Sequence, residues 1–520
     1  IINTMDENRN SYRYNISAST NQSDITVATE VLSDNDYIPY GSITKEEITP
    51  QTEPTVQALV TVESTAGAEI DLGQLLITIT QIPPQNIEGM TFDFNGTDNT
   101  ATLTEYTGPG GDVVIPDSIS ILPDGSIVEG SQYILKEVND EAFRNCTNLT
   151  SITLPDDLDY IGASAFSGCS ELTSISLPSS IRLINVRAFD GCNNIEVLEY
   201  RGTIEDYLAI DIRNEWIEDT SYTLKLDLNG DGEAEEVTSL VIPNGTTEIQ
   251  ENAFFGCSGL TSVTLPEGLT RIEGGAFRYC RGLTSVTLPE GLTSIGYDAF
   301  SSCSGLKTVV LPKTLTTIES SAFTFCTGLE TLEYNGTVEE YLSIDMGYTW
   351  IQDESHSLKL DADGDGETEE VTSLVVPEGV ILIPYNAFFG CTKITSVKLP
   401  ESLIVVETNA FRYCASLNTL NINVCTNLES IGTSAFSDCS ALTSVVLPVN
   451  LNSIGTRAFF LCNNLTSVEF TDPTGWQVST SSSFSGSIID IDEAQLQAPS
   501  TASELLKTTY YNYYWRKVEG

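Results

Sequence analysis

The sequence predicts an α/β chain, mainly β, wound into a solenoid of 23-residue coils, and three observations lead there. In "CSGLTSVTLPEGLTRIEGGAFRYCRGLTSVTLPEGLTSIGYDAFSSC" the cysteines Cys257, Cys280 and Cys303 fall 23 residues apart. Within each period an LxxLxL segment recurs, as at Leu260, Val263 and Leu265. The chain runs to 520 residues, long for one compact core, whereas stacked repeats bury theirs between neighbours. A period of about 20–29 residues around an LxxLxL core is the signature of a leucine-rich repeat solenoid.

Each element of the coil follows from its residues. The LxxLxL segment is a short strand, and Pro266 ends it because proline removes a ladder donor. Leu269 and Ile272 point inward on the return path, followed by Ala276, Phe277 and Cys280. The same frame fits eleven coils, with phenylalanines at 143, 166, 189, 254, 277, 300, 323, 388, 411, 436 and 459, each after an Ala and three residues before a Cys. Stacking at about 4.8 Å then makes the phenylalanines a spine and the cysteines a ladder. Ladder cysteines are expected to be buried small hydrophobes rather than disulfides or metal ligands. Cys425 stands outside the ladder, in a coil two residues longer than its neighbours.

Twice the cysteine spacing jumps to 65, from Cys192 to Cys257 and from Cys326 to Cys391. The two inserts, about residues 195–243 and 329–377, are copies: Tyr200, Tyr207, Trp216 and Asp227 recur 134 residues on as Tyr334, Tyr341, Trp350 and Asp361. A block of three ordinary coils and one long coil has been duplicated. Each insert reads as a strand ("IEVLEY"), a short helix ("TIEDYLAIDI") and a hairpin with arms "YTLKLD" and "EVTSLVIP". Two readings stand for the inserts. Either they bulge as ligand-contacting knobs whose Tyr and Trp stack on sugars, or Tyr207, Leu208 and Trp216 pack onto the coil beneath.

The hairpin tips carry the metal candidates. Asp227, Asn229 and Asp231 precede Gly232, and Asp361, Asp363 and Asp365 precede Gly366, with Glu233 and Glu367 next. Hard oxygens at alternate positions before a glycine reproduce the first half of an EF-hand loop, so calcium is the expected cofactor if there is one. The bidentate twelfth position is Thr238 or Thr372 and a strand follows, so neither tip is an EF-hand. The competing reading is a solvated hairpin whose Asn-Gly or Asp-Gly pairs satisfy turn geometry.

The ends fall outside the period. Residues 1–88 are expected to be a β-rich segment or linker, with strands in "ITVATEVL", "VQALVTVES" and "QLLITITQI" around a loop "EEITPQTEPT". Residues 89–470 are the solenoid, opened by a cap in "TFDFNGTDNTATLTEYTG". Residues 471–520 form the C-terminal cap, with Thr501 or Ser503 starting a helix and Tyr511, Tyr513 and Trp515 alternating after it. The opening "IINTMDENRN" has neither an initiator Met nor a leader, as in a processed product.

The coil LxxLxLPxxLxxIxxxAFxxCxx, matched by "LTSVTLPEGLTSIGYDAFSSCSG", resembles the Treponema-type leucine-rich repeats of BspA-like surface proteins over roughly residues 91–470. The resemblance implies a cell-surface or secreted binding scaffold that acts in adhesion to host proteins or other cells, without catalytic residues. Composition agrees in part. A formal charge of −50 repels nucleic acid and anionic lipid, and no apolar run is long enough to span a bilayer. No nucleophile stands in a motif with a base, and the lone His356 is Tyr222 in the other copy, so no enzyme is expected. The expected partners are extracellular or host-matrix proteins, docking on the strand face with its Thr261, Ser262 and Thr264. The alternatives are a surface-layer or filament subunit that self-assembles through the N-terminal segment, and a glycan-binding protein that exposes the insert aromatics.

Overall fold

A computed structural model describes residues 13–19, 25–28, 61–64, 76–82, 87–119 and 132–518, apart from 214–215, 218–221, 230–232, 353 and 486. The chain divides into residues 1–88 with 121–128, and residues 89–120 with 129–520. In the first unit, Arg13–Ser19 pairs antiparallel with Leu76–Ile82, and Ile25–Ala28 with Thr61–Ser64. The loop "EEITPQTEPT" lies outside the described residues.

The second unit is the solenoid. Every coil contributes one strand to each of two parallel rows. One row holds the LxxLxL strands, as in Leu149–Thr153, Ser174–Pro178 and Val197–Arg201, whose register advances 23 residues per coil (Ile152 to Ile175 to Leu198). The other row is built of two-residue strands such as Arg271–Ile272, Ser294–Ile295 and Thr317–Ile318. The core lies between the rows, where Leu, Ile, Phe and Cys are almost fully buried.

A third connection closes each coil, at the Ala-Phe-x-x-Cys turn. The Phe N–H donates to the Ala carbonyl of the next coil, from Phe254 to Ala276 at 2.8 Å, Phe277 to Ala299 at 2.7 Å and Phe300 to Ala322 at 2.8 Å. Phenylalanine rings within a run of ordinary coils therefore stack at 4.9–5.5 Å with interplanar angles no greater than 18°. Ladder thiols from Cys169 onward, Cys257 and Cys391 apart, donate back to the Phe carbonyl of the preceding coil at 3.0–3.2 Å. All twelve cysteines are free, and all but Cys146 are buried. The residue before the Ala-Phe pair is left-handed in all eleven coils, with φ from 53° at Ser164 to 64° at Gly275.

The caps close both ends of the core. Met90–Asn95 and Thr100–Tyr106 form the predicted N-terminal hairpin, and Tyr106 stacks on Phe143 at 4.8 Å, taking the place of a preceding Phe. At the other end the helix Pro499–Glu504 starts at Pro499, not at Thr501 or Ser503. Proline at the first helical position needs no donor and presets φ, so those two residues fall inside the helix. The Ser503 hydroxyl and the Lys507 ammonium both donate to the Leu465 carbonyl of the last coil, at 2.7 and 2.8 Å. Strand Tyr514–Lys517 then pairs antiparallel with Ser453–Ile454, burying Trp515.

Two outcomes test this arrangement. Phe300→Ala removes a ring stacked on both sides and is expected to cost about 3–5 kcal/mol in urea unfolding. An aromatic-disulfide thiol reagent is expected to find at most Cys146 in the native protein and all twelve thiols after denaturation. Burial pushes even Cys146 up to about 11, so its native reaction should be slow at pH 8 and quicken toward that value.

Candidate functional site

The inserts and their acidic tips are where the chain departs from its period. The helix of the second insert, Val338–Leu342, starts at Thr337 because a capping box forms there. Thr337 Oγ1 accepts from Glu340 N at 3.3 Å, and Glu340 Oε2 accepts from Thr337 N at 2.9 Å. Its counterpart Ile204–Leu208 is capped by Thr203. Neither insert is a knob. Asp211–Ile212 and Asp345–Met346 continue the row of two-residue strands, and Thr223–Leu226 and Ser357–Asp361 continue the other row. The insert is therefore an extra coil, with a helix where an ordinary coil turns at proline.

Aromatics make that extra coil fit. Trp216 and Trp350 offer their carbonyls to Phe189 N at 2.7 Å and Phe323 N at 2.8 Å, replacing the Ala of the next coil. Their rings meet those phenylalanines edge-on at 6.0 and 6.2 Å. Tyr207 and Tyr341 then carry the core across to Phe254 and Phe388, donating their hydroxyls to Ala253 O at 2.8 Å and Ala387 O at 2.7 Å. Burial pushes both phenols well above their ordinary range. All four are buried, so of the two readings the one in which the insert aromatics pack onto the coil holds for them, and stacking on sugars does not. They are consumed as core because a coil without its own Ala-Phe pair needs another ring in the spine.

The hairpins are shorter than predicted. Only Glu235–Glu236 and Glu369–Glu370 pair back, after which the second arm leaves to start the next coil. The second tip gathers its predicted ligands. Asp361, Asp363 and Asp365 each offer a carboxylate oxygen within 4.8 Å of the others. Asp361, nearly buried, accepts from Gly364 N at 2.6 Å and Gly366 N at 3.1 Å. Asp363 accepts from Asp365 N at 3.2 Å, and Asp365 from Glu367 N at 2.9 Å. Gly364 and Gly366 stand at φ 84° and 93°, which is why this sequence needs glycine there. Glu367 is not in the carboxylate cluster. It lines a groove of about 630 Å³ with Glu290, Lys313, Glu333 and Asn335.

The first tip differs. Asp227 is half-buried, and the Asn229 amide donates to Glu235, which also accepts from Leu228 N at 3.0 Å. Glu233 is exposed, and Asp231 lies outside the described residues. On the strand face the predicted hydroxyls bind along the stack, Thr261 Oγ1 to Thr238 O at 2.7 Å and Ser262 Oγ to Ser239 Oγ at 2.9 Å. Beside them stand Val241 and Val375, 65% and 49% exposed and equivalent in the two copies, which sequence reasoning passed over as ordinary strand residues.

No curated protein matches the chain. Among solved structures, a leucine-rich repeat protein from Bacteroides ovatus is 24% identical, with 73% of this chain and 93% of that one covered at a TM-score of 0.47. A leucine rich cell surface protein from Faecalibacterium prausnitzii is 25% identical, with 74% and 93% covered at 0.40. A family profile described as "BspA type Leucine rich repeat region" matches in six copies over residues 131–209, 233–343 and 366–489. With more than half its length matched, and with its Ala-Phe-x-x-Cys turns stacked coil on coil, the chain belongs to the BspA-type leucine-rich repeat family.

Proposed function

We propose that this chain is a non-enzymatic protein of the cell surface or extracellular space that adheres to matrix proteins or other cells through its face of LxxLxL strands. The observation that carries the reading is the exposed valine on that face at the same place in both copies of the duplicated block, Val241 and Val375. Each places an apolar side chain within the row of hydroxyls that this reading takes as the docking face. The family and its repeat architecture support protein binding, and no helix among the described residues is long and apolar enough to cross a membrane. Against catalysis stands the chemistry of the only histidine. His356 is buried with Nε2 at 3.6 Å from Cys391 Sγ, where burial pushes the thiol up, the wrong direction for a nucleophile.

Immobilised host-matrix extract is expected to capture the full chain. The pair Val241→Asp and Val375→Asp should weaken capture about tenfold, which is about 1.4 kcal/mol, without moving the melting midpoint. Capture that is absent, or indifferent to the pair, would sink the reading.

Calcium on the second tip is part of the same proposal, supported by the three carboxylate oxygens gathered there. Each carboxylate already accepting from backbone keeps lone pairs for a cation. Millimolar calcium is expected to raise the melting midpoint by about 2 °C, and Asp363→Asn with Asp365→Asn to abolish the rise. An unchanged midpoint in the unaltered protein would count against calcium.

A further inference from the structure

The residue before each Ala-Phe pair is left-handed, and in the coil after the second insert that residue is Asn386. Asn386 is 1% exposed, and neither its Nδ2 nor its Oδ1 has a hydrogen-bond partner. An unmet buried polar group costs about 1–3 kcal/mol, so a carboxamide with no protein partner at either end calls for one from outside the protein, a water or a ligand. Asn386 lines a cavity of about 270 Å³ together with Tyr348, Gln352, Glu354, Arg412 and Tyr413. Arg412 lies over the Tyr413 ring at 4.7 Å and donates to its hydroxyl at 3.0 Å. Tyr348 is 60% exposed and meets Tyr385 edge-on at 5.9 Å.

The duplication supplies an internal comparison. Asn386, Phe389, Arg412 and Tyr413 have the counterparts Asn252, Phe255, Arg278 and Tyr279 in the first copy. Their framework is shared, with Phe255 and Tyr279 at 5.4 Å and Phe389 and Tyr413 at 5.3 Å. The tyrosine lip is not shared. Tyr348 and Tyr385 replace Asn214 and Glu251, and the neighbouring exposed Ile381 and Leu382 replace Thr247 and Glu248. One copy of the coil folds without the lip, so folding does not account for it.

We propose that this cavity binds one neutral pyranose unit of a glycan, an activity beyond the protein recognition argued above. A hydroxyl both donates and accepts, so two neighbouring sugar hydroxyls meet both ends of the Asn386 carboxamide. The apolar face of the ring lies on Tyr348, and Glu354 and Arg412 supply a further acceptor and donor. One carboxylate and one guanidinium leave the pocket without preference for a charged ligand, and the chain's charge of −50 disfavours anions. The cavity falls below the range of about 300–1,000 Å³ that accepts drug-sized ligands, which suits one ring rather than a chain.

Saturation-transfer NMR on the full chain tests this with methyl glycosides of glucose, galactose, mannose and N-acetylglucosamine. At least one should bind with millimolar affinity. Tyr348→Asn, the residue the first copy carries, and Asn386→Asp should each weaken it about tenfold, with the melting midpoint unchanged for Tyr348→Asn. The proposal is overturned by no transfer from any glycoside, or by binding indifferent to both variants. It is also overturned if propionamide, a stand-in for a partner's amide side chain, binds and the glycosides do not, or if crystals soaked in glycoside hold only water at Asn386.

Discussion

The structure depends on the hydrogen bond from a spine phenylalanine's N–H to a carbonyl of the following coil, an alanine's between ordinary coils and that of Trp216 or Trp350 at the inserts. That bond aligns the turns coil to coil as a strand ladder would, in a segment that is not a strand. It requires the backbone to reverse just before the Ala-Phe pair, and the left-handed residue there does so at every coil. Ten of the eleven residues at that place are not glycine, so each carries a conformational cost. Stacking offsets it: once the turns align, the Phe ring and the Cys thiol of each coil meet partners one coil away, and the cost recurs with its compensation at every repeat. Coil length is strict for the same reason. A coil of another length moves the amide off its carbonyl unless something absorbs the difference.

The inserts show what absorbing it takes. Both strand rows end there and restart with the next block, and single bridges, Tyr222 with Cys257 and His356 with Cys391, cross the seams. Trp216 with Tyr207, and Trp350 with Tyr341, fill the seam with larger rings and lend a carbonyl or a hydroxyl to the coils on either side. The seam also frees the chain from the period. The acidic tip, the groove at Glu367 and the cavity at Asn386 all lie at or beside the second one.

What was legible in the sequence was whatever keeps one residue type in one place. Phe, Cys and the strand leucines do, because the core admits little else, and from them the coils, their register and the family followed. The left-handed residue was hidden because Glu, Ser, Arg, Asn, Asp and Gly all serve there, their side chains leaving the core while only their backbone is used. The extra coil was hidden because Trp216 does Phe's work without Phe's neighbours in sequence. At the tips the carboxylates of Asp361, Asp363 and Asp365 were legible as a cluster, since alternate acids before glycine must curl together. The cavity was not, because Tyr348, Asn386 and Arg412 lie far apart along the chain and meet only when three successive coils stack.

Duplication separates what the scaffold needs from what it carries. Positions that hold the two blocks together are the same in both: the capping threonine, the seam Tyr and Trp, the exposed valine, the framework around Asn252 and Asn386. Positions that differ include the tip and the lip, where chemistry changes and, at the lip, size as well: Tyr348 and Tyr385 stand where the first copy has Asn214 and Glu251. At the tip, Asn229 closes on Glu235 through its amide, whereas Asp363 can only accept, leaving three carboxylates facing one another with backbone donors on one side. At the cavity, Glu251 takes a hydrogen bond from Tyr297 at 2.9 Å and so closes the surface, whereas Tyr385 in the same position turns to brace Tyr348. At the cavity the first copy pairs Glu251 internally, and the second turns the ring of Tyr348 outward. Two copies of one coil under the same packing constraint diverge freely only where the stack does not need them, so the tip and the lip are positions that the stack leaves open.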